Sequence, residues 1–249
     1  MSATDNSAGS SERGKPSDGL DHHEPHDPGL ASRLNWLRAG VLGANDGIVS
    51  TAAIVLGVAA ATDERGPIIL AGVVGLMAGA MSMAAGEYVS VSTQRDTEKA
   101  VLEIERRELA ETPDEELAEL TAIYASKGLD RDLAHQVAVQ LTAKDALGAH
   151  AEAELGLDPD GLTNPWQAAL ASFVSFVIGA LIPLLGVVVS SRAWVTVVAV
   201  VIALAITGSV SARLGRAPVP SAVASNIAGG LLAMVVTYLL GGLVGGLIP

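Results

Sequence analysis

Apolar residues in this chain come in long runs, not in the alternation or narrow stripe that marks a water-facing element. Five runs, approximately 36–61, 67–91, 167–190, 193–212 and 220–248, are each near the roughly 20 residues a helix needs to cross about 30 Å of hydrocarbon. Short polar breaks separate them. Thr62-Asp63-Glu64-Arg65-Gly66 divides the first pair, Arg192 the third and fourth, and Arg213-Leu214-Gly215-Arg216-Ala217-Pro218 the fourth and fifth.

The one long polar interval, residues 92–166, has helical character of its own. Residues 92–111 contain no breaker, so the second span is predicted to continue straight out of the membrane. Thr112-Pro113-Asp114-Glu115 then restarts a helix, with Thr112 as N-cap, Pro113 at N1 and Glu115 completing a capping box. Gly128 ends that helix, and Asp130 or Asp132 caps the next. Thr142 opens a last helix that stops at Gly156, and Asp158-Pro159-Asp160-Gly161 returns the chain to the membrane. The predicted fold is all-α: a polytopic membrane protein of five transmembrane helices, with a small helical cytosolic domain inserted between spans 2 and 3. Its segments are a disordered tail (1–29), spans 1 and 2 (30–91), the inserted domain (92–166) and spans 3 to 5 (167–249).

Charge sharpens the picture. Of the 27 acidic residues only Asp46 and Glu87 lie within long apolar runs, so the net charge of −12 describes the aqueous parts. No basic stripe is present to neutralise phosphates, which argues against nucleic acid as a partner. With the N-terminus in the cytosol, 13 of the 15 Lys and Arg residues fall inside and only Arg65 and Arg192 outside. The positive-inside rule therefore sets that orientation, with residues 92–166 cytosolic and the C-terminus external in a cell (inner) membrane. The N-terminal tail carries Asp21-His22-His23-Glu24-Pro25-His26, which reads as a solvated segment able to bind metal loosely.

The chain has no cysteine, so any metal must be held by carboxylate, imidazole, thioether or backbone oxygen. Asp46 stands about ten residues into the first span, roughly 15 Å deep. A carboxylate there costs on the order of 3 kcal/mol, and such residues face a polar pathway or a partner. In the second span Met83 and Glu87 are four apart and share a face beside a stripe of glycines at 72, 75, 79 and 86. A thioether beside carboxylates favours a first-row transition metal over Mg²⁺ or Ca²⁺. In the inserted domain Glu105 and Glu108, then Glu116 and Glu119, are pairs at i, i+3, and His150 and Glu154 form an i, i+4 pair. Each pair can aim its ligands at one point. Glu103, Glu111, Glu115 and Glu152 fit a solvated face better.

Gly43-Ala44-Asn45-Asp46-Gly47-Ile48-Val49-Ser50-Thr51, the run from Ala78 to Tyr88 and the carboxylate-rich insert together resemble the vacuolar iron transporter family. The likeness covers roughly residues 30–248. It implies a homodimer that moves Fe²⁺ out of the cytosol in exchange for protons, with Mn²⁺, Co²⁺ or Zn²⁺ as substitutes. The family's membrane aspartate and methionine match Asp46 and Met83. Its cytosolic glutamates match Glu105, Glu108, Glu116, Glu119 and Glu154, and His150-Ala151 stands where plant relatives carry paired methionines. Further acidic positions of the family's path appear here as Ala39 and Gly75, leaving Glu87 to take part of the proton route. Stripes Gly40-Gly43-Gly47 and Gly72-Gly75-Gly79 are expected to form the dimer contact. Two other classes compete with a transporter: a membrane-anchored carboxylate-ligated iron oxidase, and a metal sensor without transport.

Overall fold

Residues 30–190 and 192–247 are described by a computed structural model. The histidine-containing tail and its expected disorder lie outside the described residues. Among those residues all regular structure is helical: α1 Leu30–Ala61, α2 Arg65–Glu111, α3 Pro113–Ser126, α4 Arg131–His150, α5 Pro165–Val189, α6 Ala193–Leu214 and α7 Val219–Gly245, with a π-type turn Ala151–Leu155 after α4. Five of them, α1, α2, α5, α6 and α7, are long and apolar enough to cross a membrane. The chain is a multi-pass, all-helical membrane protein, as its apolar runs predict. Helices are the expected solution, because a helix satisfies its backbone polar groups internally where no water is available.

α1 is the central helix, packed on by α5, α7, α2 and α6. Its core side chains Ile48, Ala52, Val55 and Leu56 meet Val187 of α5, Val200 and Leu204 of α6, and Met234 of α7. Lipid is as apolar as these side chains, so close packing rather than water exclusion holds such helices together. Small residues make that packing possible. A Cβ on Gly47 would lie 2.2 Å from the Phe176 carbonyl oxygen, and one on Gly179 would lie 2.1 Å from that of Ala44, so α1 and α5 cross backbone to backbone.

This packing corrects one expectation. Gly40, Gly43 and Gly47 are covered by Ser175, Ser172 and Phe176 of α5, while Val55 and Leu184 crowd Gly72, Ile54 crowds Gly75 and Phe176 crowds Gly79. The α1 stripe is thus taken up by α5 within the chain, and on α2 Gly72 is buried while Gly75 and Gly79 stay half-exposed. What remains bare on α2 is the face bearing Leu70, Val74, Met77 and Met81.

α2 is unbroken for 47 residues, about 70 Å at 1.5 Å per residue, or roughly twice the hydrocarbon thickness. Its polar half carries α3 and α4 beside it. Two local details differ from the sequence reading. Thr112 makes no side-chain cap for α3; its hydroxyl donates to the Glu108 carbonyl at 3.1 Å and so closes α2 instead. The chain also passes Thr142 within α4 and breaks at Asp145, whose backbone is extended and whose Oδ1 accepts from the Gly148 amide at 3.0 Å. Asp turns the helix there because its short carboxylate competes for backbone N–H groups, a capping role open to Thr142 but exercised by Asp145. Asp130 caps α4 by accepting from the Asp132 amide at 2.9 Å, and Gly156, with φ of 64°, ends the π turn.

Candidate metal centre and membrane cleft

Beyond the membrane half of α2, the small core of the inserted region contains charge. Leu102 and Glu105 share a face of α2, and Glu116 and Leu120 share a face of α3; all four are buried. Those faces close on Ala134 and Ala138 of α4 and on His150 and Ala151 at its end. Glu105 is 3 % exposed and His150 fully buried, an arrangement that is costly for polar groups unless something satisfies them.

Three of the predicted ligands converge. Glu105, His150 and Glu154 each place one ligand atom within 4.8 Å of the others. The π turn follows His150 directly and carries Glu154, in keeping with the frequency of such turns at functional sites. Glu105 Oε1 lies 3.0 Å from His150 Nδ1, and Glu116 Oε2 lies 3.7 Å from the same nitrogen. The shorter approach is not a formed hydrogen bond: Glu105 Oε1 and both ring nitrogens are buried without a partner. With the imidazole proton on Nε2, a cation between Glu105 Oε1 and His150 Nδ1 would satisfy both. Glu108 and Glu119, the other two predicted ligands, are exposed and act on the group as nearby charge.

The electrostatics have the same origin. Burial, then the charges of Glu154, Glu116, Glu108 and Glu119, push the Glu105 carboxyl up to about 7. Burial and the surrounding glutamates likewise raise Glu116 and Glu154, the latter eased by a hydrogen bond with Glu105. Burial lowers His150 against the opposing pull of Glu119, which favours the neutral ring, with one of its two nitrogens free to ligate. A neutral imidazole with carboxylates and no thiolate suits a borderline divalent cation such as Fe²⁺ or Mn²⁺. Of the acids read as solvated, Glu103 is exposed and paired with Arg106, and Glu111, Glu115 and Glu152 are exposed.

The second constellation lies in the membrane. Asp46 and Met83 line one cleft of about 450 Å³ between α1, α2 and α5, together with Ser50, Ile54, Gly75, Ala78, Gly79, Ser82 and Phe176. Ser50 donates to the Asp46 backbone carbonyl at 2.6 Å. Asn45 turns the other way, accepting from Thr207 of α6 at 3.3 Å, and Thr207 accepts from Asn226 of α7 at 3.4 Å. The Asp46 side chain is thus exposed on the cleft rather than engaged with its neighbour. Glu87, one turn beyond Met83, does not line it. At Gly75, Ile54 Cδ1 lies 2.5 Å from where a Cβ would be, so the space is already filled. Phe176 and the hydroxyls of Ser50 and Ser82 were not singled out by the sequence; an isolated aromatic or serine in an apolar run carries no signal until the helices are packed.

Residues 37–242, most of the chain, match the VIT family. The chain belongs to the VIT family. Among curated relatives it is 45 % identical over 207 residues to "Vacuolar iron transporter" of Acanthamoeba castellanii, covering 81 % of this chain and 76 % of that protein. It is 40 % identical over 213 residues to "Vacuolar iron transporter homolog 5" of Oryza sativa subsp. japonica, covering 84 % and 80 %. It is 37 % identical over 210 residues to "Vacuolar iron transporter homolog 2.1" of Arabidopsis thaliana, covering 83 % and 80 %. These relatives carry transporter names and none is named an enzyme, so the oxidase alternative loses its footing for this VIT-family chain.

Proposed function

We propose that this VIT-family protein exports Fe²⁺ from the cytosol across the cell (inner) membrane as a metal/proton antiporter. Mn²⁺, Co²⁺ or Zn²⁺ substitute for Fe²⁺, since the same borderline ligands accept them. The observation that carries this reading is that one unbroken helix, α2, contributes both to a buried N/O ligand cluster and to a carboxylate–thioether cleft in the membrane half. Met83 and Glu105 both belong to α2, and 22 residues separate them, about 33 Å along the axis.

In this reading Glu105, Glu116, His150 and Glu154 gather the cation, and the charges of Glu108 and Glu119 draw it in. Asp46 and Met83 then replace part of its hydration shell within the membrane. Protons compete with metal for the same carboxylates, which links the two fluxes, and Glu87 at the cytosolic end of the span serves the proton route. The distribution of Lys and Arg supports an orientation with the N-terminus and residues 92–166 in the cytosol and the C-terminus outside. A homodimer is supported by the exposure of Asp46 and of the α2 face bearing Leu70, Val74, Met77 and Met81. A second copy on that face would shield the cleft from lipid.

The test is flux through the purified protein in proteoliposomes loaded with a pH-sensitive dye. Fe²⁺ movement accompanied by opposite proton movement is expected. Tight metal binding with no flux would return the protein to the sensor class.

A further inference from the structure

Phe176 is 1 % exposed, yet it forms part of the wall of the Asp46–Met83 cleft. Its ring rests on Gly79 of α2: a Cβ there would lie 2.3 Å from Cζ and 2.8 Å from Cε1. Its backbone carbonyl abuts Gly47 of α1, the residue after Asp46. One residue of α5 therefore touches both helices that bear the cleft's ligands. Met83 packs against the same group of side chains, which includes Leu76, Ala80 and Ala180.

The cleft is wide. At about 450 Å³ and open to one side, it leaves a cation beside Asp46 room to keep part of its hydration shell. How much it keeps depends on the gap between α1 and α2. An aromatic ring is a stiff spacer that offers no lone pair to replace a lost water.

We propose that Phe176 is the specificity-determining wall of this cleft: seated on Gly79 and braced on Gly47, its ring sets how many waters a divalent cation must shed to pass between Asp46 and Met83. The inference rests on the transport reading above and adds the means of discrimination. Mg²⁺ gives up its waters reluctantly, whereas Mn²⁺ parts with them readily, so a cleft of fixed width favours the second. Widening it should relax that preference. Narrowing it should slow every cation.

The experiment measures Mn²⁺ uptake into proteoliposomes, with and without competing Mg²⁺, for the full-length protein and three variants. Phe176→Leu is expected to make Mg²⁺ about threefold or more effective as a competitor. Gly79→Ala drives the ring into the cleft and is expected to lower maximal Mn²⁺ uptake at least about fivefold, with KM changed less than about twofold. Adding Phe176→Leu to Gly79→Ala should recover much of that loss. Unaltered Mg²⁺ competition in Phe176→Leu, or wild-type turnover in Gly79→Ala, overturns the proposal, and the second variant decides the matter should the first fail to fold. Asp46→Asn in the same vesicles separates the two levels. Lost flux there with unchanged discrimination in Phe176→Leu sinks only the role of Phe176, whereas retained flux removes the cleft from the path and this inference with it.

Discussion

The two ligand constellations to which α2 contributes are built in opposite ways. The cluster around Glu105 is dense and buried, with carboxylates and an imidazole a few ångströms apart and three buried ligand atoms unpartnered. The cleft around Asp46 is sparse and open, with one exposed carboxylate, one half-buried thioether and hydroxyls spread over about 450 Å³. Dense ligands hold a cation; sparse ones let it go. On the proposed reading a protein that moves ions needs both, with capture at the cluster beside the polar half of α2 and passage through the cleft between α1, α2 and α5.

The sharpest way to break that contrast is Asp46→Asn. Transport should be lost while the protein stays folded and inserted, because Asn preserves the shape and removes the charge that replaces hydration. Metal titration of the same preparation should show the cluster binding as before. A variant that transports normally would take Asp46 out of the path.

The next largest effect belongs to the cluster. Glu105→Ala/Glu116→Ala should weaken metal binding at least about tenfold, the lower end of the range seen when even indirect supports of a metal site are removed. Transport should fall at low metal concentration and recover as metal is raised. Equal losses at low and saturating metal would make the cluster part of the pathway instead of a collector.

pH sharpens the same comparison. Between the ordinary glutamate value of 4.5 and about 7, folded Glu105 holds a proton that the unfolded chain releases. The native state thus binds more protons in that window, and the stability of the metal-free protein falls as pH rises through it. Raised Glu116 and Glu154 act in the same direction, and the lowered His150, a single group against three, opposes them below its ordinary value of 6.5. Thermal unfolding of metal-free protein should therefore occur at higher temperature near pH 5 than near pH 8. Mn²⁺ should stabilise more strongly at the higher pH, where it displaces fewer protons. Stability that rises with pH in the metal-free protein would contradict the buried-acid account.

The smallest effect concerns the scaffold. Gly47→Ala places a methyl where the Phe176 carbonyl sits, so α1 and α5 must part, at a cost of about 1–3 kcal/mol. Unfolding in mixed detergent should detect it, and an unchanged midpoint would mean the crossing is looser than the backbone contact implies.

Much of this was legible in the sequence. The spans could be read because hydrocarbon demands uninterrupted apolar length, and the continuation of α2 because nothing between 92 and 111 breaks a helix. Glu105, His150 and Glu154 were candidates on helical spacing, which places pairs but not the partners they meet. Three things were not readable. The glycine stripes announce close approach without saying to which helix, and α5 takes a place a second copy was expected to hold. Thr112 and Asp145 both carry capping chemistry, yet which end of which helix each serves depends on where the chain turns. Phe176 gains meaning only from Gly79, 97 positions earlier in the chain, through packing that local pattern does not encode.

Division of labour between the cluster and the cleft is the central claim, and paired measurements on one set of samples test it most directly: equilibrium metal binding and proteoliposome flux for wild type, Asp46→Asn and Glu105→Ala/Glu116→Ala. The account predicts a double dissociation. Asp46→Asn binds metal at the cluster and does not transport, while the cluster variant binds poorly and still transports at saturating metal. Loss of binding and flux together in both variants would contradict it, because capture and passage would then be one site's work.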